Sequence, residues 1–422
     1  MVVFAAMTMP PTRRRLQLFA AAFFWGMLLL YGWMAPRLFQ RMILGYADFS
    51  NFYTAGKIVH MGQSGRLYDL ELQTAVQSQF SEAARLRNHA LAYMRPPFEA
   101  LVFLPLSYLP YPRAYGAWVI FSMVLVGGTA AYLHSRIPEL EEIPRWLYYP
   151  ACFSFYPIAY GFVLGQDAAL LFLLFAAVAV QWLGGRDFRA GCWLGLALIK
   201  FQLVLPLLLI LVLKRQWRTL AGFSMVGAML AGVSGWVVGW AGLKDYPAYL
   251  WRLNEKGSVA GIYPCVMPSL RGLVQGWTDP LHPMAWLDIV TALLAFGMLV
   301  WAAWQWDTKA ARTSERYRAG MAVAFLSTLL AGYHEFTYDL SSLTPWVLLG
   351  VIGGVGGGLG DTALPRSTRW ALVLGAGVLL YPPFFVFLHA KAQLNLVAIP
   401  LLLLAWGFSR SALKHPTAPQ PA

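Results

Sequence analysis

The stretch GLALIKFQLVLPLLLILVLKRQWR (residues 195–218) decides the fold. It is almost wholly apolar, yet Lys200 and Gln202 interrupt it, Pro206 lies inside it, and it ends on Lys214, Arg215 and Arg218. Arg186 and Arg189 stand a few residues upstream. Short loops rich in Lys and Arg stay on the cytoplasmic side of a membrane, so both flanks of segment 190–213 belong on one side. The segment must then enter the bilayer and return, with Ile-Lys-Phe-Gln (199–202) near its turn. Irregular backbone at membrane depth is tolerated only where protein or a water-filled cavity surrounds it. A lysine at that depth costs roughly 2.5–3.5 kcal/mol on insertion scales, so Lys200 either snorkels to the surface or serves a polar cavity.

The rest of the chain is built for the same solvent. Of 422 residues, 59% are hydrophobic and 12% charged, with a mean hydropathy of +0.55, whereas soluble domains carry about 25% charged residues. The net charge of +13 is scattered in short clusters between apolar runs, a membrane pattern and not a nucleic-acid surface. Cys152, Cys192 and Cys265 show neither metal-ligand nor redox spacing. Arg13–Arg15 precede an apolar run that reaches Trp33 without a small-residue cleavage site, which reads as an uncleaved first helix. With no soluble domain, linker or repeat, residues 1–415 form a single transmembrane domain, followed by a disordered tail at 416–422.

The remaining basic clusters, at 309–318, 366–369 and 410–414, set the topology. With the N-terminus inside, spans fall near 16–35, 114–133, 146–163, 166–184, 219–242, 287–306, 319–333, 338–357, 369–388 and 393–408, returning the C-terminus inside. A second misfit is RPPFEALVFLPLSYLP (95–110): its apolar core reaches only about 21 Å as a helix, short of a hydrocarbon core of about 30 Å. Four segments lie outside in this scheme: 36–96 with Asp48, the turn at Gln166 and Asp167, 243–286 with Arg271, and Gly-Tyr-His-Glu-Phe-Thr-Tyr-Asp-Leu (332–340) with His334 and Asp339. An acid, a lysine, a histidine, an arginine and amides converge on one face.

The motifs DFSNFYTAGKIV (48–59), GRLYD (65–69), RPPFEALVFLPLSYLP, GQDAALLFLL (165–174), the opening stretch, SLRG (269–272) and GYHEFTYDL follow one another in the order of a known family. The chain resembles glycosyltransferase family 87 of the GT-C superfamily, which includes polyprenyl-phosphate-mannose-dependent α-mannosyltransferases. The resemblance runs from about residue 45 to 350. It departs from the family pattern at Phe201 after the lysine, at Gly332-Tyr333 before His334 and at Met267-Pro268 before Ser269. It implies an all-α polytopic membrane protein: a GT-C-type bundle of about 10–13 transmembrane helices with broken or re-entrant segments and a helical first outer loop. It also implies a membrane enzyme that moves a hexose, mannose first among them, from a polyprenyl-phosphate donor to a lipid or glycan hydroxyl, inverting, on the extracytoplasmic side.

Such chemistry needs a base at the acceptor hydroxyl and positive charge at the departing phosphate. The resemblance makes Asp48 the base, and Lys200, His334 and Arg271 are the groups for the phosphate. Tyr53, Arg95, Gln166, Gln202 and Asp339 are weaker substrate-binding candidates. Duller readings stand beside these: Asp48 as a helix cap, Lys200 snorkelling, His334 and Arg271 as structural or solvated groups. There is no GxxxxGK[ST] loop, no HExxH and no paired aspartates for a nucleotide-sugar metal, so neither metal nor cofactor is called for. Expected partners are the lipid-phosphate sugar, a lipid or glycan acceptor and membrane lipid; no nucleic acid and no obligate protein partner is expected. A transporter or flippase, and a polymerase or ligase of lipid-linked glycans, are the alternatives.

Overall fold

The computed structural model describes residues 11–255, 263–278, 284–356 and 364–413. The tail at 416–422 and parts of the second outer segment lie outside these. Helix α1 (Pro11–Arg41) leads through a wide turn at 42–46 into an outer segment of three helices, α2 (Phe49–His60), α3 (Leu70–Ser78) and α4 (Glu82–Arg87). There follow α5 (Tyr111–Arg136), α6 (Arg145–Ser154), α7 (Tyr156–Leu164), α8 (Ala168–Leu183), α9 (Asp187–Leu196), α10 (Phe201–Leu213) and α11 (Trp217–Glu255). The chain closes with α12 (Leu270–Gln275), α13 (Ala285–Gln305), α14 (Glu315–Ala331), α15 (Thr344–Gly356), α16 (Arg366–Leu379), α17 (Pro382–Ala390) and α18 (Ala398–Leu413). No strand occurs among the described residues, and the fold is all-α.

Two ends of the bundle differ in chemistry. At one, Arg312 pairs with Asp187 at 3.0 Å, Arg316 with Asp307 at 3.1 Å, and Arg318 with Glu139. The other gathers Asp48, Gln166, Lys200, His334 and Asp339 around one cavity. Among the described residues, six helical stretches are long and apolar enough to cross a membrane, and α16 with α17, bent by 63°, makes a seventh if the pair is one span. All but one of these run from end to end. With the broken pair α6–α7 and the shorter α8, α14 and α15, they would give the ten passes expected from the charges.

The exception is 187–213. It is helical on both sides of Lys200 and, at 27 residues, long enough to span, yet it cannot run straight. A Cβ on Gly191 would lie 1.9 Å from the Thr219 carbonyl oxygen, so those two backbones touch. A straight helix would carry Leu213 about 33 Å from Gly191, whereas Leu213 to Thr219 reaches at most about 21 Å fully extended. The chain therefore folds back at Lys200, whose φ of −132° and ψ of 69° leave the helical region. Helix α9 then runs beside the start of α11, Gly191 and Gly222 allowing backbone-to-backbone approach. The fold-back expected from the flanking charges is present.

The first helix continues beyond the expected end near residue 35, through Pro36 to the turn that ends at Tyr46. Gly45 stops it at φ 85°, where a side chain would also strike Ser81 Oγ at 2.3 Å; Ser81 Oγ donates to the Gly45 carbonyl at 3.1 Å. That turn delivers Asp48 to the cavity. Residues 97–108 form three short helical turns packed on α2, where Gly56 meets the Phe103 carbonyl. They do not cross.

Candidate functional site

A cavity of about 1030 Å³ opens at the end remote from the basic clusters, at the upper limit for ligand pockets. Asp48 stands on its wall at the N-terminus of α2, its side chain making no capping bond. Its Oδ2 accepts a hydrogen bond from Gln166 Nε2 at 2.7 Å. Gln166 follows Gly165, which ends α7 in the left-handed region at φ 62°, in contact with Phe49 and Tyr115. Arg95 Nη2 donates to Gln166 Oε1 at 3.4 Å and to Asp167 Oδ1 at 3.2 Å, and lies 3.0 Å from Asp167 Oδ2. Burial pushes the Asp48 carboxyl above its ordinary range, against the Gln166 bond and the charges of Arg95, Lys200 and Arg87.

Lys200 enters the cavity wall from the fold-back. It is 1% exposed and paired with the fully buried Asp339, with its Nζ 4.5 Å from the Tyr338 ring centre. Asp339 Oδ2 also accepts from the Phe336 amide at 2.8 Å. A buried charge is tolerable when paired and hydrogen-bonded, so this lysine is not snorkelling to the basic end. Gln202, one residue past the fold-back, lines the same cavity and donates to the His334 carbonyl at 3.5 Å.

Arg271 projects from α12 onto the loop after α14. Its Nη1 donates to the Tyr333 carbonyl at 3.1 Å and faces His334 Nδ1 at 3.4 Å, while the guanidinium lies 3.8 Å from the Tyr333 ring centre. Among the described residues it has no carboxylate partner. A guanidinium only donates, so His334 Nδ1 is the acceptor and Nε2 carries the proton. That Nε2 is buried without a hydrogen-bond partner, on a residue that lines the cavity. Burial, then Arg271, Lys200 and Arg95, pull the imidazole down to about 3, so it is a neutral donor.

Asp48, Arg95, Gln166, Lys200, Gln202 and His334 thus share one cavity, with Asp339 and Arg271 directly behind it. Tyr53 lies elsewhere: its hydroxyl donates to the Leu109 carbonyl at 2.8 Å, and its ring packs on Phe80 and Tyr111. Asn51, Trp251, Tyr333 and Asp288 also line the cavity and were not singled out from sequence. Asn51 was within reach, one helical turn after Asp48. Asp288 opens an apolar helix and gave no signal. Glu335, inside a quoted motif, is fully buried beside Asp339. No cluster of metal-ligating side chains occurs among the described residues.

A bundle of apolar helices with an acid and two cations, Asp48, Arg95 and Lys200, on the wall of one largely apolar cavity defines a class: a multi-pass membrane protein. Residues 93–332 match glycosyltransferase family 87, and the chain belongs to that family. It is a membrane glycosyltransferase, and the transporter reading gives way. The crystal structure of ArnT from Cupriavidus metallidurans in the apo state is similar at a TM-score of 0.29 and 12% identity, over 92% of this chain and 76% of that one; so low a likeness carries no argument. No curated protein matches the chain.

Proposed function

We propose that the protein transfers a hexose, mannose in the first instance, from a polyprenyl-phosphate sugar to a hydroxyl of a lipid or glycan acceptor. The observation that carries this reading is Asp48, held by Gln166 on a cavity that Lys200 and His334 also line. The acceptor oxygen attacks the anomeric carbon, its proton passes to Asp48, and the bond from that carbon to the phosphate oxygen breaks. One direct displacement inverts the anomeric centre. A carboxylate held above its usual range is the stronger base. Lys200, His334 and, behind them, Arg271 meet the charge that develops on the leaving phosphate.

The apolar wall supports a lipid-borne donor: Leu205, Pro206, Pro247 and Leu250 line the cavity between α10 and α11. We place this end of the bundle on the extracytoplasmic side, from the basic clusters at the other. The test is incubation of the purified protein with polyprenyl-phosphate mannose and a membrane lipid extract, measuring polyprenyl phosphate released. Release that needs Asp48 supports the reading; intact donor, or a sugar-linked polyprenyl product of growing length, counts against it, the latter in favour of a glycan polymerase.

A further inference from the structure

We propose that Gln166 and Arg95 are positioning residues that aim the Asp48 carboxylate, and do not themselves bind substrate. The inference rests on the reading of Asp48 as the base. The four side chains form a directed chain: Asp167 holds Arg95, Arg95 faces the oxygen of the Gln166 amide at 3.4 Å, and the amide nitrogen faces Asp48 Oδ2 at 2.7 Å. The amide has only one allowed direction. Reversed, its oxygen would oppose a carboxylate and its NH₂ a guanidinium, two repulsive contacts in place of two attractive ones.

Because Gln166 occupies Oδ2, the other carboxylate oxygen is the one left for the acceptor hydroxyl; no hydrogen bond to Oδ1 occurs among the described residues. Arg95 is itself fixed from behind. Its loop has its carbonyls taken by tyrosine hydroxyls, Tyr68 on Arg95 at 2.8 Å, Tyr246 on Met94 at 2.7 Å and Tyr249 on Tyr93 at 3.0 Å. Two of these tyrosines belong to the outer half of α11, beyond the break at Gly239 (φ 77°, ψ 160°). The base therefore takes its aim from the fold as a whole, through two side chains and one loop.

The groups that face Asp48 are Gln166, Arg95, Lys200 and Arg87, together with the hydroxyls of Tyr111, Tyr160 and Tyr338. Of these only Gln166 donates to the carboxylate, so its loss leaves the charges in place and removes one bond to the ionised form. Gln166→Leu should therefore move the titration of Asp48 to higher pH, lower kcat about tenfold or more, and leave KM for polyprenyl-phosphate mannose unchanged. Arg95→Lys keeps a cation but carries it on a shorter side chain without the planar fork, so its ammonium falls short of the place where Nη2 meets both Gln166 and Asp167, and the variant should show the same change in part.

The decisive measurement does not need turnover. Infrared titration of the carboxyl band that disappears in Asp48→Asn reports the Asp48 proton directly, in wild type and in Gln166→Leu. An upward displacement in Gln166→Leu supports the proposal; an unmoved band overturns it, as does a raised donor KM with an unmoved acid limb, which would make Gln166 a substrate ligand. Full activity in Asp48→Asn would instead overturn the base assignment, a separate outcome.

Discussion

Asp48 occupies the cap position of α2 without making a capping bond, and that separates its two readings. Asn caps about as well as Asp, so a cap would tolerate Asp48→Asn. As the base it would not: turnover should fall about 10²-fold or more, with donor binding and thermal stability near wild type. Wild-type turnover in the variant would send the search for a base to other carboxylates on the cavity. The pH dependence follows with the same sign. The base works ionised, burial raises its pKa, and activity should be lost as pH falls through a limb lying above the ordinary carboxylate range. His334 should contribute no limb between about pH 5 and 8, where histidines ordinarily titrate, because it is held near 3. His334→Phe should weaken donor binding about tenfold while leaving the pH profile in place; a profile that changes shape would mean a titrating imidazole. Asp48, Lys200 and His334 were legible as types out of place in apolar surroundings. Glu335 was not, because nothing in a sequence distinguishes a buried glutamate from a solvated one.

At the scale of elements, the segment from 187 to 213 was legible for an electrostatic reason: basic residues at both ends cannot be satisfied by a single crossing. Its depth and turn follow from Lys200, which leaves helical geometry just where its ammonium meets Asp339. If the lysine meets the departing phosphate, Lys200→Met should keep a folded protein and sharply reduce donor binding or turnover. Lys200→Arg should retain part, since charge survives while shape changes. Unaltered rate and affinity in Lys200→Met would reduce the lysine to a partner for Asp339. The packing of the same hairpin is testable apart from its chemistry. A Cβ on Gly222 would lie 2.1 Å from the Phe188 carbonyl, so Gly222→Val must push α9 off α11, an overpacking that costs about 1–3 kcal/mol. A melting temperature equal to wild type would mean the two helices do not pack there. The end of α1 was not legible in its own residues, because the stop is Gly45, whose reason is Ser81, far along the chain.

Over the whole molecule, charge and cavity lie at opposite ends, and one experiment joins them. On the positive-inside rule Arg189 and Lys309 are expected in the cytoplasm, and ten passes would then put the cavity and the outer segment 49–110 on the far side. Neither step depends on the chemistry assigned to any side chain. Met61 and Glu71 are exposed on that outer segment, and Arg189 and Lys309 are exposed at the basic end, so cysteines at these positions disturb little. With Cys152, Cys192 and Cys265 replaced by alanine, a membrane-impermeant maleimide on intact cells should label cysteines at 61 and 71. Cysteines at 189 and 309 should react only after the membrane is opened. The re-entrant hairpin makes this a stringent test. Were 187–213 a simple crossing, every later pass would invert, and position 309 would label from outside together with 61. That single result would overturn both the hairpin and the shared cavity, since His334 could no longer lie on the same face as Asp48.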